Sequence, residues 1–171
     1  MASKSKTKGK TFERELCSIL NKITSLNWNR VPNSGAYTGG LNSFRNSILS
    51  KEQIDLFEGD IIAPKEFNHI RFECKFYKDI GWSKLFNKDG ESKLNSWIEQ
   101  SEQGTKPYWL LLFKINNNGI YIVYDNTKLQ FNNNHNVLIY KNKYNIIPIT
   151  DFFENNIQYL QKLGTTNEQS K

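Results

Sequence analysis

The chain has 171 residues, of which 37% are hydrophobic, so its length and apolar content predict a single α/β domain built around one core. Its 23 Lys and Arg residues outnumber its 17 Asp and Glu residues, and the formal charge of +6 favours a polyanionic partner, either nucleic acid or a membrane surface. The sequence has no long apolar run, no signal peptide and no metal-ligand spacing of cysteines, so we expect a cytoplasmic protein with reduced thiols.

A lysine stands at every second position from Lys4 to Lys10, among Ser, Thr and Gly and without a run of apolar side chains. Such a composition cannot bury enough apolar surface to fold, so residues 1–10 are predicted to form a disordered basic arm. The arm is either a phosphate-binding element or a solubilising tail. If it binds phosphates, its contacts are Lys4, Lys6, Lys8 and Lys10.

A helix is predicted from Thr11, which is the candidate N-cap, because apolar residues then recur at helical spacing. They are Phe12, Leu16, Ile19, Leu20 and Ile23. Glu13 and Glu15 lie on opposite margins of this apolar stripe, so periodicity does not separate the two acids, while Arg14 points away from it. The alternative for all three charged residues is an ordinary solvated helix surface.

A short strand is predicted over residues 26–31, followed by a turn-rich segment of small residues. Arg30 at the strand end and Ser34 in the turn are candidates for contacts with a phosphate. The segment from Ala36 to Phe57 is either a loop that clasps DNA or a surface insertion.

Two apolar runs carry the candidate metal chemistry: Gly59-Asp60-Ile61-Ile62 and Phe72-Glu73-Cys74-Lys75-Phe76. In a strand, alternate side chains face the same side, so Glu73 and Lys75 should lie on the side opposite the apolar residues. If the runs are neighbours, Asp60 and Glu73 converge on one hard cation, since carboxylate oxygens are natural magnesium ligands. Asp55 is the rival to Asp60, which we prefer because Gly59 allows a close backbone approach.

Basic and aromatic residues alternate after this point, including Lys78, Trp82 and Lys84. This pattern suits contacts with a nucleic-acid backbone and base stacking, whereas the alternative is a solvated loop with Trp82 packed on the core. A helix is predicted from residue 91 to Gly104. Its Gln100 is a candidate site residue, with solvent exposure or packing as the alternative.

The rest of the chain is predicted to form a hairpin over residues 108–125 with an Asn-Gly turn, two further strands at 137–140 and 144–149, and a helix at 151–163. Residues 164–171 are predicted to be a flexible tail. No phosphate-binding glycine motif is present, so no nucleotide cofactor is expected.

The order Glu13-Arg14, Asp60 and Glu73-Cys74-Lys75 resembles the PD-(D/E)XK nuclease superfamily. Through residues 9–16 and the Arg30 to Ser34 segment, it is most similar to the archaeal-type Holliday junction resolvases. The resemblance covers about the first half of the chain. It implies an α/β fold with a restriction-endonuclease-like core, in which a mixed β-sheet is flanked by helices in the order αβββαβ. The later strands and helix would be C-terminal additions to one nuclease domain spanning residues 11–163.

By this resemblance, Asp60, Glu73, Glu13 and the backbone carbonyl of Cys74 would bind Mg²⁺ or Mn²⁺, and Lys75 would position the attacking water. The implied partner is branched DNA, held by a homodimer without a membrane partner. The resemblance implies DNA contacts at Arg14, Arg30 and Ser34, while the charge pattern adds Lys78, Lys84 and the lysines of the arm. The alternatives are a non-specific endonuclease and a DNA-binding accessory protein without catalysis.

Overall fold

The structure is a computed structural model that describes residues 4–32, 47–50, 54, 57–82, 92–131 and 136–168. Within these ranges, side chains are described for residues 7–164. The predicted site residues Ser34 and Lys84, the rival Asp55 and most of the segment from 36 to 57 lie outside the described residues.

The elements follow the predicted order. The first six are α1 (Lys4–Thr24), β1 (Asn29–Arg30), β2 (Ile61–Ile62), β3 (Ile70–Tyr77), α2 (Lys93–Glu102) and β4 (Tyr108–Ile115), with a short 3₁₀ turn at Lys65–Phe67. The C-terminal additions are β5 (Gly119–Asp125), β6 (Leu138–Tyr140), β7 (Tyr144–Pro148) and α3 (Ile149–Glu168). The αβββαβ core with extra strands and a closing helix is therefore confirmed.

The main sheet has five strands in the order β3-β4-β5-β7-β6. Strands β3 and β4 are parallel and the other pairs are antiparallel, so the predicted mixed sheet is confirmed. Strands β1 and β2 form a separate antiparallel pair, with Asn29 opposite Ile62 and Arg30 opposite Ile61. The backbone N–H of Asp60 joins this pair to β3 by donating to the Phe72 carbonyl at 2.8 Å.

Helices cover both faces of the main sheet. On one face, α1 and α3 bury apolar side chains against alternate residues of the strands, with Phe12, Leu16, Phe72, Leu112, Phe152 and Leu160 fully buried. On the other face, α2 packs Leu94, Trp97 and Ile98 against Leu111, Phe113 and Val123. The alternation along β3 places Glu73 on the α2 side of the sheet, opposite the face that carries Phe72.

Helix α1 begins at Lys4, so the prediction of a disordered arm was wrong for residues 4–10, and the predicted cap at Thr11 was wrong as well. The Thr11 hydroxyl instead donates to the carbonyl of Thr7 at 3.0 Å within the helix. The early turns dock on the sheet, because Lys8 Nζ lies 4.4 Å from the Phe76 ring centroid and donates to Asn116 Oδ1 at 3.3 Å. These tertiary contacts add to the good helix propensity of lysine.

Two other boundaries differ from the prediction. The strand expected over residues 26–31 is limited to Asn29–Arg30, since the backbone N–H groups of Leu26 and Trp28 are bonded to side chains at the end of α1 instead of to a strand. Helix α3 continues to Glu168, so the expected tail is helical over most of its length. Gly164 packs there against the ring of His69.

The predicted Asn-Gly turn between β4 and β5 is confirmed by positive φ angles of 61° at Asn117 and 97° at Gly119. The β6–β7 turn has the same character, with φ angles of 50° at Lys141 and 54° at Asn142. None of the helices formed by the described residues combines the length and apolar character needed to span a bilayer.

Candidate active site

Asp60 is held at the junction of the strand pair and the main sheet. Its backbone carbonyl accepts from the Val31 N–H at 3.0 Å, and its Oδ2 accepts from the Cys74 N–H at 2.8 Å. Gly59 has a φ of 89°, and a Cβ there would lie 2.6 Å from the Phe72 carbonyl oxygen. The close backbone approach expected from Gly59 is therefore confirmed, and it fixes where the Asp60 carboxylate lies.

Glu73 and Lys75 share one face of β3, as the alternation predicted. Lys75 Nζ lies 3.5 Å from Glu73 Oε2. Glu73 is only 3% exposed, so this face of the strand is not a solvated surface. A buried carboxylate needs compensating partners, and Lys75 is one of them.

Arg71 is a second partner of Glu73, which the sequence analysis did not identify. Its Nε and Nη2 donate to Glu73 Oε1 at 2.9 and 2.6 Å. Glu58 lies behind it, with Oε1 at 3.7 Å from an Arg71 guanidinium nitrogen. The period of two that linked Glu73 to Lys75 also places Arg71 on this face, so the signal was present in the sequence.

The two acids of α1 have different environments. Glu13 is 8% exposed, and its Oε2 lies 2.5 Å from Arg30 Nε on β1. Glu15 instead accepts from Lys114 Nζ at 2.6 Å near the far end of β4. The structure thus separates residues that periodicity left equivalent. Arg14 is exposed, in agreement with its predicted outward direction.

The charge of Asp60 reaches both buried glutamates. Burial raises the pKa of Glu73 and the Asp60 charge raises it further, against the opposing effects of Arg71 and Lys75. Burial also raises the pKa of Glu13, where Arg30 opposes it and the Asp60 charge adds to it. Asp60 therefore repels two carboxylates in a poorly solvated region, and a cation beside Asp60 would relieve this repulsion.

The carboxylates are paired with basic side chains rather than gathered as a ligand set. Within the ranges that the structure describes, no three His, Cys, Asp or Glu side chains lie close enough together to hold a metal ion. The oxygens of Asp60 and Glu73 nevertheless suit a hard divalent cation. Burial raises the pKa of the Cys74 thiol well above its usual value, which disfavours a thiolate here and leaves the backbone carbonyl as the ligand that the resemblance implies.

The predicted DNA-binding residues are spread along the chain. Lys4 and Lys6 belong to α1, Lys8 contacts Phe76, and Lys10 is exposed on the helix. The charge of Lys10 lowers the pKa of Glu13, so it lies within electrostatic range of the buried acid. The exposed lysines of α1 therefore lie on the same helix as Glu13.

Lys78 and Gln100 are both exposed, Lys78 just after β3 and Gln100 on α2. Trp82 packs against Tyr121 and Phe113, with ring centroids 5.5 and 6.3 Å away. This contact agrees with the packing alternative for Trp82 rather than with base stacking.

An αβββαβ core that places an Asp before β2, a Glu-x-Lys on β3 and a buried Glu on the opening helix defines a protein of the PD-(D/E)XK nuclease type. The family of phage putative PDDEXK endonucleases matches residues 4–168, and the chain belongs to this family. The superfamily assignment is therefore confirmed, whereas this match carries no specific link to the archaeal junction resolvases.

The chain is also similar to Protein D14 of Escherichia phage T5, with 35% identity over 122 residues. The match covers 67% of this chain and 66% of Protein D14. No solved structure matches the chain significantly.

Proposed function

We propose that the protein is an endonuclease that hydrolyses DNA phosphodiester bonds with Mg²⁺ or Mn²⁺. The observation that supports this proposal most strongly is the pair of carboxylates, Asp60 and Glu73, held on neighbouring backbone segments with Lys75 beside Glu73. A protein that only binds DNA would gain nothing from these carboxylates in its DNA-binding surface, because carboxylates and phosphates repel each other. Membership of an endonuclease family supports the same reaction class.

In this proposal Asp60, Glu73 and the Cys74 carbonyl would hold the ion, and Glu13 would join them in place of its contact with Arg30. When bound, such an ion acidifies water and offsets the charge that develops on the phosphate. Lys75 would orient the attacking water and share that charge. Arg30, once released from Glu13, is free to contact a phosphate oxygen.

DNA would be held by the basic residues around this site. The proposed contacts are the α1 lysines 4, 6, 8 and 10, with Arg14, Arg30, Ser34, Lys78 and Lys84. Such contacts fix the position of the duplex without reading its sequence. Gln100 stays a candidate contact on α2.

The finer proposal is selectivity for branched DNA, as in a Holliday junction resolvase, by a homodimer in the cytoplasm of an infected host cell. A four-way junction has near two-fold symmetry and needs two matched cuts, which a two-fold dimer supplies. The resemblance of the opening helix and of the Arg30 segment supports this choice. A monomer that cuts any duplex is the competing proposal.

A nicking assay tests both the metal-dependent cleavage and the selectivity for branched DNA. The wild-type protein and Asp60→Asn are compared on a four-way junction, a linear duplex of equal length and single-stranded DNA, each with and without Mg²⁺. We expect Mg²⁺-dependent cleavage by the wild type alone, with the junction preferred and a dimer in sedimentation. Equal cutting of junction and duplex by a monomer overturns the junction proposal only, whereas tight DNA binding without any cleavage indicates an accessory protein.

A further inference from the structure

We infer that Glu58 and Arg71 form a positioning relay that sets the orientation of Glu73 and anchors it to Thr105, just after α2. This inference rests on the proposed function, because it concerns how Glu73 is presented to a metal ion. Neither residue would touch the ion or the substrate; both act through Glu73.

The relay begins beyond α2, at Thr105. The Thr105 backbone N–H donates to Glu58 Oε1 at 2.6 Å, and its hydroxyl donates to Glu58 Oε2 at 2.6 Å. Both carboxylate oxygens of Glu58 are therefore held by one residue, so its side chain has a fixed direction. Glu58 Oε1 in turn lies 3.7 Å from Arg71 Nη1.

Arg71, held beside Glu58, in turn restricts the orientation of the Glu73 carboxylate. It donates from Nε and Nη2 to the same oxygen, Oε1, at 2.9 and 2.6 Å. Glu73 Oε2 is left on the side of Lys75, at 3.5 Å from Nζ. A glutamate side chain loses rotamer entropy when it is immobilised, and the relay would meet that cost before an ion arrives.

Gly104 supplies the space for this arrangement. A Cβ at this position would collide with Glu58 Oε1 and would lie 2.6 Å from Arg71 Nη1. The backbone of Gly104 is not in the left-handed region, so the turn itself does not require glycine. Gly104→Ala is therefore a way to displace the relay without removing any of its charges.

A different role for Arg71 makes the opposite prediction. If Arg71 only neutralised Glu73 until an ion replaced it, its removal would relieve a competing positive charge and tighten metal binding. If Arg71 positions Glu73, its removal weakens metal binding. Supporting partners of metal ligands typically contribute about 10–100-fold to affinity or activity.

The test measures Mn²⁺ binding to the full chain by calorimetry without DNA, together with kcat and KM for cleavage in Mn²⁺. We expect Arg71→Gln to weaken Mn²⁺ binding by about tenfold or more. Glu58→Gln and Gly104→Ala should weaken it by less, and all three should lower kcat with little change in KM for DNA. Arg71→Lys should recover only part of the loss, because lysine cannot make the two-pronged contact.

The matched control is Glu102→Gln. It weakens an ion pair between Glu102, the last residue of α2, and Lys143. It should leave Mn²⁺ binding and kcat unchanged. Unchanged or tighter Mn²⁺ binding in Arg71→Gln, with cleavage retained, overturns the relay. If Arg71→Gln does not fold, Glu58→Gln and Gly104→Ala decide in the same way. A wild-type protein that neither binds Mn²⁺ nor cleaves DNA would instead overturn the proposed function.

Discussion

Asp60 accepts a hydrogen bond from the backbone N–H of Cys74, so the carboxylate that precedes β2 is fixed on the strand that carries Glu73. The two acids are 13 positions apart in sequence, yet one hydrogen bond ties the first to the residue that follows the second. Because a backbone donor cannot rotate away, the orientation of Asp60 depends on the register of β3. The candidate site is thus as rigid as the sheet edge beneath it.

Asp60→Asn and Glu73→Gln should each lower cleavage by at least about 100-fold, because each removes a charge from the proposed metal site. An asparagine oxygen can still accept from the Cys74 N–H, so the fold and the affinity for DNA should be retained. The rates are measured as single-turnover cleavage in saturating Mg²⁺. Glu66→Gln, an exposed change in the 3₁₀ turn, is the control. Wild-type cleavage by Asp60→Asn would show that the site is misplaced, and Asp55 would be tested next.

Glu13→Gln should reduce cleavage more than Glu15→Gln. Glu13 is buried against Arg30 and feels the charge of Asp60, whereas Glu15 pairs with Lys114 at a partly exposed position. The Glu15 pair should be worth only about 0–1 kcal/mol of stability. Cleavage rates and urea unfolding of both variants provide the comparison. Small and equal effects on cleavage would assign both acids to structural roles.

Replacing Lys4, Lys6 and Lys10 by glutamine should weaken binding to every DNA and flatten its dependence on salt. Each lost phosphate contact should reduce the slope of log K against log salt by about 0.9. Substitution is preferable to deletion, because Lys8 docks α1 on Phe76 and removing it would disturb the helix. Binding is measured by fluorescence anisotropy over a salt series, with exposed Lys141→Gln as the control. An unchanged slope would exclude this part of α1 from the DNA interface.

Gly59→Ala should destabilise the protein by roughly 1–3 kcal/mol, since it combines a positive φ with a Cβ close to the Phe72 carbonyl. Gly9→Ala is the matched control, because Gly9 lies inside α1 and a Cβ there meets only Glu13 at 4.0 Å. The control should gain up to about 1 kcal/mol from helix propensity. Free energies of unfolding in urea provide the measurement, and an equally stable Gly59→Ala would mean that the β2–β3 junction can relax.

His69 should make the metal-free protein less stable in acid. Its burial lowers the pKa of the imidazole below the ordinary value of 6.5, and the charge of Lys106 acts in the same direction. As the pH falls, the imidazole of the unfolded chain is protonated before that of the folded chain. The contribution of neutral His69 to stability is therefore fully present above pH 6.5 and is lost as the pH falls through the folded pKa. His69→Gln should reduce this loss, by at most about 1.4 kcal/mol per pH unit. The free energy of unfolding is measured at pH 7.5 and 5.5 with a chelator present. An equal loss between these pH values in both proteins would show that His69 does not cause the acid sensitivity.

The order of the core elements and the faces of β3 could be predicted because both follow from local patterns. Alternation along Phe72 to Phe76 is independent of the rest of the fold, and the Asn-Gly turn needs only its own backbone preferences. The start of α1 could not be predicted in this way. It depends on contacts between Lys8, Phe76 and Asn116, which are distant in sequence.

The basic partners of Glu13, Glu15 and Glu73 could not be predicted from the sequence either. Nothing local to Glu13 indicates that it meets Arg30, 17 positions away, while Glu15 meets Lys114 instead. Arg71 was visible on the same strand face as Glu73, but its contact with Glu58, which is itself bonded to Thr105, joins segments that are distant in sequence. Charge pairs of this kind are set by tertiary packing rather than by sequence periodicity.

The pairing of β1 with β2 closes the base of the segment between them. Asn29 lies opposite Ile62, so the chain leaves the core and returns to it at neighbouring points. Closing a loop of greater length costs only about 0.6 kcal/mol for each doubling. Residues inserted or exchanged between these strands therefore need not shift Asp60, so the length and sequence of this segment can vary while the candidate site keeps its place beside β3.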